Sequence, residues 1–206
     1  MIGDMQKWSP NVASIIEHAK QFHPETEVIS RMVSGDVHRT NYNEVCIRSR
    51  KLASALVKDG YKEGDVIATL ALNTYRHLEM YYGISGMGAV THTLNFRLHP
   101  EQAVYIINHA EDKIIFVEAP FVPILEALKD QLNTVEKYII LCDQSEMPDT
   151  QLKNAISYES YIEDGDENYE WPQLKDDAAC ALCYTSGTTG NPKGVLYSHK
   201  SNILHA

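Results

Sequence analysis

The stretch VIATLALNTYRHLEMYYGISGMGAVTHTLNFRLHPEQAVYIINHAEDKIIFV, residues 66–117, alternates short apolar runs with longer segments of helical periodicity. The runs VIATLAL (66–72), AVTHTLN (89–95) and KIIFV (113–117) have the length of β-strands. Positions at helical spacing lie between the runs: Leu78, Tyr81, Tyr82 and Ser85 mark one helix, and Ala103, Ile106, Ile107 and Ala110 mark another. Continuous apolar strands separated by helices predict βαβ units, with a parallel sheet covered on both faces.

The same alternation continues outward in both directions. Towards the amino terminus we predict a helix opening at Ser9-Pro10, two strands around the turn at residues 34–36, and a helix over residues 43–58. Towards the carboxyl terminus we predict a helix around Leu125 and Leu128, then strands at residues 138–142 and 178–185. The predicted fold class is therefore α/β, with a mostly parallel sheet flanked by helices.

Composition and charge exclude several classes of protein. The chain has 206 residues, a net charge of −10, 44% hydrophobic and 22% charged residues, which is typical of a soluble globular protein. A nucleic-acid partner is not expected, because such a protein needs a basic surface. No uncharged run is long enough to span a membrane. Four cysteines and no signal-peptide core predict a reduced, cytoplasmic protein.

Most of the negative charge lies in one segment, residues 143–177. It holds eleven acidic residues and two lysines, which leaves a net charge of only −1 for the rest of the chain. We interpret it as a solvated acidic connector with one short helix near residues 156–162. The alternative, a docking surface for a basic partner, has no other support in the sequence.

The chemically most informative segment follows the strand at residues 178–185. Residues 185–194, TSGTTGNPKG, combine four hydroxyls, three glycines and a lysine. Glycines let successive backbone N–H groups converge on an anion, and Lys193 adds a positive charge. The pattern indicates a polyphosphate-binding loop, with a plain glycine-rich hairpin turn as the alternative. A Walker A loop is excluded, because Lys193 is preceded by Pro192 and followed by Gly194 rather than by a hydroxyl.

Other polar features support no functional site. Cys180 and Cys183 have CxxC spacing but fall in a predicted strand, where an offset of three places their side chains on opposite faces. The nine histidines show no compact metal-ligand spacing. We expect His77 and His92 to be core or pocket-rim residues and His199 to stand at a helix end. The cluster of Arg48, Arg50 and Lys51 is expected on a solvated helix face.

A family resemblance follows from the motifs quoted above. YTSGTTGNPKG (184–194) resembles the phosphate-loop signature of the adenylate-forming superfamily, which includes acyl-CoA synthetases, luciferases and peptide-synthetase adenylation domains. VHRTNY (37–42) and residues 76–98 and 105–117 resemble the medium- and long-chain fatty-acyl-CoA synthetase branch. This sequence departs from that branch at Phe96, where the branch usually has proline. The difference affects the expected conformation of the local turn.

The resemblance implies a ligase activity that uses ATP, Mg²⁺ and CoA. A carboxylic acid, with a medium- or long-chain fatty acid expected, would attack ATP to give an acyl-adenylate, and CoA would then displace AMP. The implied phosphate-binding residues are Thr185, Ser186, Gly187, Thr188, Thr189, Gly190 and Lys193. Thr185 would also help to hold Mg²⁺, together with a downstream glutamate.

The resemblance further implies that residues 1–206 are an incomplete N-terminal AMP-binding domain, with the acidic connector inside it. The C-terminal domain and its catalytic lysine would lie downstream, so no catalytic residue is assigned here and this chain alone is expected to be inactive. Relatives are often homodimers, so a homodimer is an expected assembly. The alternative to an enzyme is a non-catalytic, truncated or split nucleotide-binding fragment.

Overall fold

A computed structural model describes residues 8–185 and 190–206. Within these ranges the helices are α1 (Ala13–Phe22), α2 (Tyr42–Lys58), α3 (Tyr75–Gly86), α4 (Pro100–Ala110), α5 (Val122–Leu128), α6 (Tyr158–Ile162) and α7 (His199–His205). The strands are β1 (Glu27–Arg31), β2 (Val37–Asn41), β3 (Val66–Leu70), β4 (Val90–Thr93), β5 (Ile114–Val117), β6 (Lys137–Ile140), β7 (Ala155–Ser157), β8 (Ala179–Thr185) and β9 (Lys193–Ser198).

Seven of these strands form one sheet in the order β7-β6-β5-β3-β4-β8-β9. Every neighbouring pair is parallel except β8 and β9, which run antiparallel. Strands β1 and β2 form a separate antiparallel hairpin, turned at Gly35 with φ +94°. The α/β class with a mostly parallel sheet is confirmed.

Helices cover both faces of the large sheet, which explains why the central strands β3 and β5 are almost continuously apolar. Phe116 of β5 packs in one core with Leu52 of α2 and Met80 of α3. Its neighbour Ile115 points to the opposite face and packs in a second core with Ile107 of α4. Alternate residues of each buried strand thus serve alternate cores.

The order of the strands creates an opening at their carboxyl ends. The chain leaves β3 through α3 on one face and enters β4, then leaves β4 through α4 on the other face and crosses over to β5. Strands β3 and β4 are therefore neighbours whose following helices diverge to opposite faces. In open α/β sheets, such a switch point is where ligands bind.

A partly buried ion-pair network joins α2, α3 and α6. Nε of Arg48 donates to the fully buried carboxylate of Glu79 at 2.7 Å, and its terminal nitrogens donate to both carboxylate oxygens of Glu159. Arg50 pairs with Glu17 at 2.7 Å. The expectation of a solvated face is therefore wrong for both arginines. Their partners lie far away in sequence, which the local pattern of α2 did not show.

Residues 143–177 take part in the folded core as well as carrying charge. They contain β7, which pairs with β6 at the edge of the sheet, and α6, whose Tyr158 and Ile162 are buried. Glu159 accepts hydrogen bonds from Arg48 and Arg76 across this boundary. A strand in this segment was not predicted, because it is only three residues long and stands among acidic residues.

Helix α1 begins three residues later than the Ser9-Pro10 pattern predicts. The hydroxyl of Ser9 donates to the carbonyl of Leu174 instead of capping the helix, and the side chain of Asn11 accepts from the N–H of Ala13. Ser9, the predicted N-cap, is thus used in a tertiary contact instead. No helix in the described part of the chain is long and apolar enough to cross a membrane.

Candidate functional site

A cleft of about 270 Å³ opens at the carboxyl ends of β4 and β8. Residues His92 to Asn95 form one wall, at the end of β4, and Leu98, Gln102 and Ile106 come from the loop and helix that follow. Tyr184, Thr185 and Pro192 complete the lining. The cleft thus lies at the carboxyl ends of the parallel strands, and β4 is the strand that it shares with the β3–β4 switch point.

The polar segment of the sequence analysis closes a hairpin beside this cleft. Strands β8 and β9 pair antiparallel, with Tyr184 opposite Gly194 and Thr185 opposite Lys193. The hairpin turn, which was the alternative interpretation of this segment, is therefore present. It does not exclude phosphate binding, since a loop of backbone N–H groups can bind an anion without a helix behind it. It does differ from a Walker A loop, whose lysine leads into a helix.

Three of the seven predicted phosphate-site residues fall in the described part of the chain. Thr185 ends β8, is exposed and lines the cleft. Lys193 begins β9, is exposed and makes no ion pair with any described residue. Gly190 has φ +159°, and a Cβ placed there would contact nothing within 4 Å. The other four, Ser186, Gly187, Thr188 and Thr189, lie outside the described residues.

A buried histidine–aspartate pair lies under the cleft. Nδ1 of His92 is 2.8 Å and 3.0 Å from the two carboxylate oxygens of Asp112, and both side chains are fully buried. Burial raises the pKa of Asp112, while the hydrogen bond from His92 opposes that rise. Nε2 of His92 has no hydrogen-bond partner among residues 8–185 and 190–206. His92 is thus a pocket residue, one of the two expectations stated for it.

Tyr184 ties the end of β8 to helix α4. Its hydroxyl lies 2.6 Å from Nδ1 of His109, and its ring centroid lies 5.2 Å from that of His92. Burial raises the pKa of the Tyr184 hydroxyl, so it remains protonated near neutral pH. The end of β8, which leads into the glycine-rich loop, is therefore held in place by side chains of α4 and β4.

Sequence reasoning did not single out His109 and Asp112. Both belong to YIINHAEDKIIFV (105–117), the block quoted for the family resemblance, yet neither has a motif partner nearby. Asp112 meets His92 from 20 residues away and His109 meets Tyr184 from 75 residues away. The available signal was an acidic residue two positions before a wholly apolar strand, where a buried charge requires a partner.

The other features weighed in the sequence support no second site. Cys180 is buried in β8, and burial raises its pKa to about 11, so the thiol is not activated. Both cysteines of the CxxC spacing are free thiols. His199 begins α7 fully buried, its Nδ1 accepts from the N–H of Val12, and burial lowers its pKa to about 4. In the described ranges no cluster of three or more His, Cys, Asp or Glu side chains could hold a metal ion.

Comparison with known proteins gives a family match over nearly the whole chain. The family model described as AMP-binding enzyme matches residues 16–206. Among curated relatives, the 3-methylmercaptopropionyl-CoA ligase of Ruegeria lacuscaerulensis is 46% identical over all 206 residues. The medium-chain-fatty-acid–CoA ligase of Ectopseudomonas oleovorans is also 46% identical over 206 residues. The chain spans 38% of the length of each of these two relatives.

The fold is similar to that of solved structures. The crystal structure of an anthranilate CoA ligase in complex with anthranoyl-AMP superposes with a TM-score of 0.85. The match covers 99% of this chain and 38% of that protein, at 22% sequence identity. At that identity the comparison supports the fold, and the position of the cleft has to be argued from this chain's own residues.

Proposed function

Because this chain belongs to the AMP-binding enzyme family, we propose that it forms the phosphate-binding part of an AMP-forming acid–CoA ligase. The observation that carries the proposal is the pairing of Thr185 with Lys193 across the mouth of the hairpin, beside the cleft. A hydroxyl and a positive charge thus flank seven residues that include two glycines and three further hydroxyls. Such a loop suits a polyphosphate.

The proposed reaction has two steps. A carboxylate oxygen of the acid attacks the α-phosphorus of ATP, the bond to the bridging oxygen breaks, and pyrophosphate leaves with those electrons. The sulfur of CoA then attacks the carbonyl carbon of the acyl-adenylate, and AMP leaves. A carboxylate is a weak nucleophile, so the first barrier falls mainly by positioning and by neutralising the charge that develops on pyrophosphate.

The proposed role of the loop is to hold that departing pyrophosphate. Lys193 supplies a charge that no described residue neutralises, and Thr185 supplies a hydroxyl at the cleft. We include Ser186, Gly187, Thr188, Thr189 and Gly190 in the same role, on the strength of the sequence motif. Because the hairpin returns into β9, the anion would be held by loop and side-chain donors without a helix dipole.

Mg²⁺ fits the donors that the chain provides. Magnesium prefers oxygen ligands, keeps several waters and is usually held through substrate phosphates rather than by a protein cage. The described residues offer no carboxylate or histidine cage, and the exposed hydroxyl of Thr185 is an oxygen donor at the cleft. When bound, the ion would neutralise charge on the phosphates.

For the acid we propose a medium- or long-chain fatty acid. The support is the resemblance of residues 76–98 and 105–117 to that branch and the name of the relative from E. oleovorans. A sulfur-containing short acid is the competing substrate, since the relative from R. lacuscaerulensis is equally similar. Competition between octanoate and 3-methylmercaptopropionate in the longer enzyme would separate the two. The four free cysteines support a reducing, cytoplasmic setting.

We further propose that the complete enzyme is longer and that its catalytic lysine lies in the remainder. The chain spans 38% of its curated relatives, which supports this and equally supports a second candidate, a non-catalytic nucleotide-binding fragment. Both predict that the purified 206-residue chain binds polyphosphate but releases no pyrophosphate from ATP when octanoate is added. Carboxylate-dependent turnover by this chain alone would contradict both.

Calorimetric titration of the chain with inorganic pyrophosphate tests the phosphate site. Lys193→Ala should weaken binding by about tenfold to a hundredfold, because a hydrogen bond to a charged group contributes about 1.5–3 kcal/mol. Lys153→Ala is the matched control, since Lys153 is also an exposed lysine and does not line the cleft. Equal dissociation constants for the two variants would overturn the assignment of the loop.

A further inference from the structure

The unpartnered Nε2 of His92 is the least explained polar atom near the cleft. His92 is fully buried within the protein and still lines the cleft beside Tyr184 and Thr185. None of the described residues bonds to its Nε2. A buried polar atom without a partner costs about 1–3 kcal/mol, and a ligand or water bonded to Nε2 would recover that cost.

The other ring nitrogen determines what Nε2 can offer. Nδ1 lies within hydrogen-bond distance of both oxygens of Asp112, and a carboxylate can only accept. With Asp112 ionised and the ring neutral, the hydrogen sits on Nδ1 and Nε2 is an acceptor. With Asp112 protonated instead, which its raised pKa favours, Asp112 donates to Nδ1, the ring hydrogen sits on Nε2, and Nε2 is a donor.

We propose that His92 is a further ligand-binding residue of this cleft, and that its Nε2–H donates a hydrogen bond to an anionic oxygen of the bound ligand. The inference rests on the proposed function and deepens it, since the anionic oxygen belongs to a phosphate or to the carboxylate of the acid. Asp112 is the positioning residue: it fixes the ring and, when it donates to Nδ1, keeps the ring hydrogen on Nε2.

The surroundings favour an anion over a neutral group. Lys193 stands at the mouth of the loop that borders the cleft, and it is not paired with any described residue. Tyr184, the other polar ring in the lining, has its hydroxyl already engaged with His109. His92 is therefore the buried side chain in the lining that has both a free polar atom and a hydrogen-bonded partner behind it.

Nitrogen NMR of the histidine rings tests the proposal on the wild-type chain. The Nε2 resonance of His92, assigned by its loss in His92→Gln, is followed during titration with pyrophosphate and, separately, with hexanoate. We expect it to move towards the position of a nitrogen that carries hydrogen. His77 is the internal control, because its Nε2 already lies 3.1 Å from the hydroxyl of Thr69 and it does not line the cleft.

The two ligands distinguish the two sources of the anion. A response to pyrophosphate assigns the partner to a phosphate oxygen, and a response to hexanoate alone assigns it to the carboxylate. If pyrophosphate binds in a Lys193-dependent manner and neither ligand moves the His92 resonance, the inference is wrong while the proposed function stands. If pyrophosphate does not bind at all, both are wrong.

Binding constants add a second readout. His92→Gln should raise the dissociation constant of the responding ligand about tenfold, whereas His77→Gln should leave it unchanged. Asp112→Asn should weaken the response of Nε2 itself, which a residue that only supports folding would not do. A folded His92→Gln chain with unaltered affinity would contradict the proposal; if that variant does not fold, His92→Asn replaces it in the titration and in the assignment of the resonance.

Discussion

Replacing Glu79 by glutamine should make the stability of the fold less dependent on pH. The carboxylate of Glu79 is fully buried and accepts hydrogen bonds from Nε of Arg48 at 2.7 Å and from the hydroxyl of Tyr158 at 2.8 Å. Burial raises its pKa to about 7 in spite of the neighbouring arginine. Glutamine keeps the shape and can bond to both partners without a charge.

The sign and size of the effect follow from linkage. Between pH 4.5 and pH 7 the folded state of the wild-type chain holds a proton on Glu79 that the unfolded state has lost, so the contribution of Glu79 to stability is greatest at low pH. The stability that this group contributes is lost as the pH rises through 7. A pKa raised from 4.5 to about 7 corresponds to about 3 kcal/mol, most of it lost between pH 5 and pH 8.

Urea unfolding at several pH values from 5 to 8 measures this directly. We expect the difference in free energy of unfolding between Glu79→Gln and the wild type to shift by about 2–3 kcal/mol in favour of the variant as the pH rises from 5 to 8. Glu25→Gln serves as the control, because Glu25 is exposed and pairs with no described residue; its stability should change with pH in parallel with that of the wild type. Parallel curves for Glu79→Gln and the wild type would refute the reasoning that burial dominates this site.

Two further predictions concern the same fold. His199 is buried with its pKa lowered to about 4, so the unfolded state binds the extra proton between pH 6.5 and pH 4 and stability falls as the pH drops through that window. His199→Asn, measured by urea unfolding at pH 7 and pH 5, should lose less stability than the wild type, by about 2 kcal/mol; an equal loss would contradict this. Gly165→Ala should cost about 1–3 kcal/mol, because its Cβ would overlap the backbone of Lys51, with the Cα at 2.7 Å. An unchanged melting temperature would show that the backbone segments around Gly165 and Lys51 can move apart.

The sequence predicted the sheet well where the strands are buried on both faces. Residues 66–72, 89–95 and 113–117 were recognised because a strand covered by helices is continuously apolar. It did not predict β7 or β9 as strands of the sheet. Both lie at the edges, and β9 is exposed along almost its whole length, so neither carries the apolar pattern of the central strands.

Electrostatic partners were the part that sequence could not supply. The arginine cluster on α2 has the spacing of a surface helix, yet Arg48 reaches Glu79 and Glu159, which lie 31 and 111 residues away. The same holds at the cleft, where His92 finds Asp112 only after the chain has crossed from β4 to β5. Charge pairing of this kind depends on topology and leaves no periodic mark.

The most direct test of the central claim is a crystal structure of this chain with bound pyrophosphate. We predict density for the anion beside the cleft between β4 and β8, within hydrogen-bond distance of the hydroxyl of Thr185 and the ammonium of Lys193. Density confined to another surface, with Thr185 and Lys193 free of ligand, would contradict the claim that this hairpin holds the phosphates.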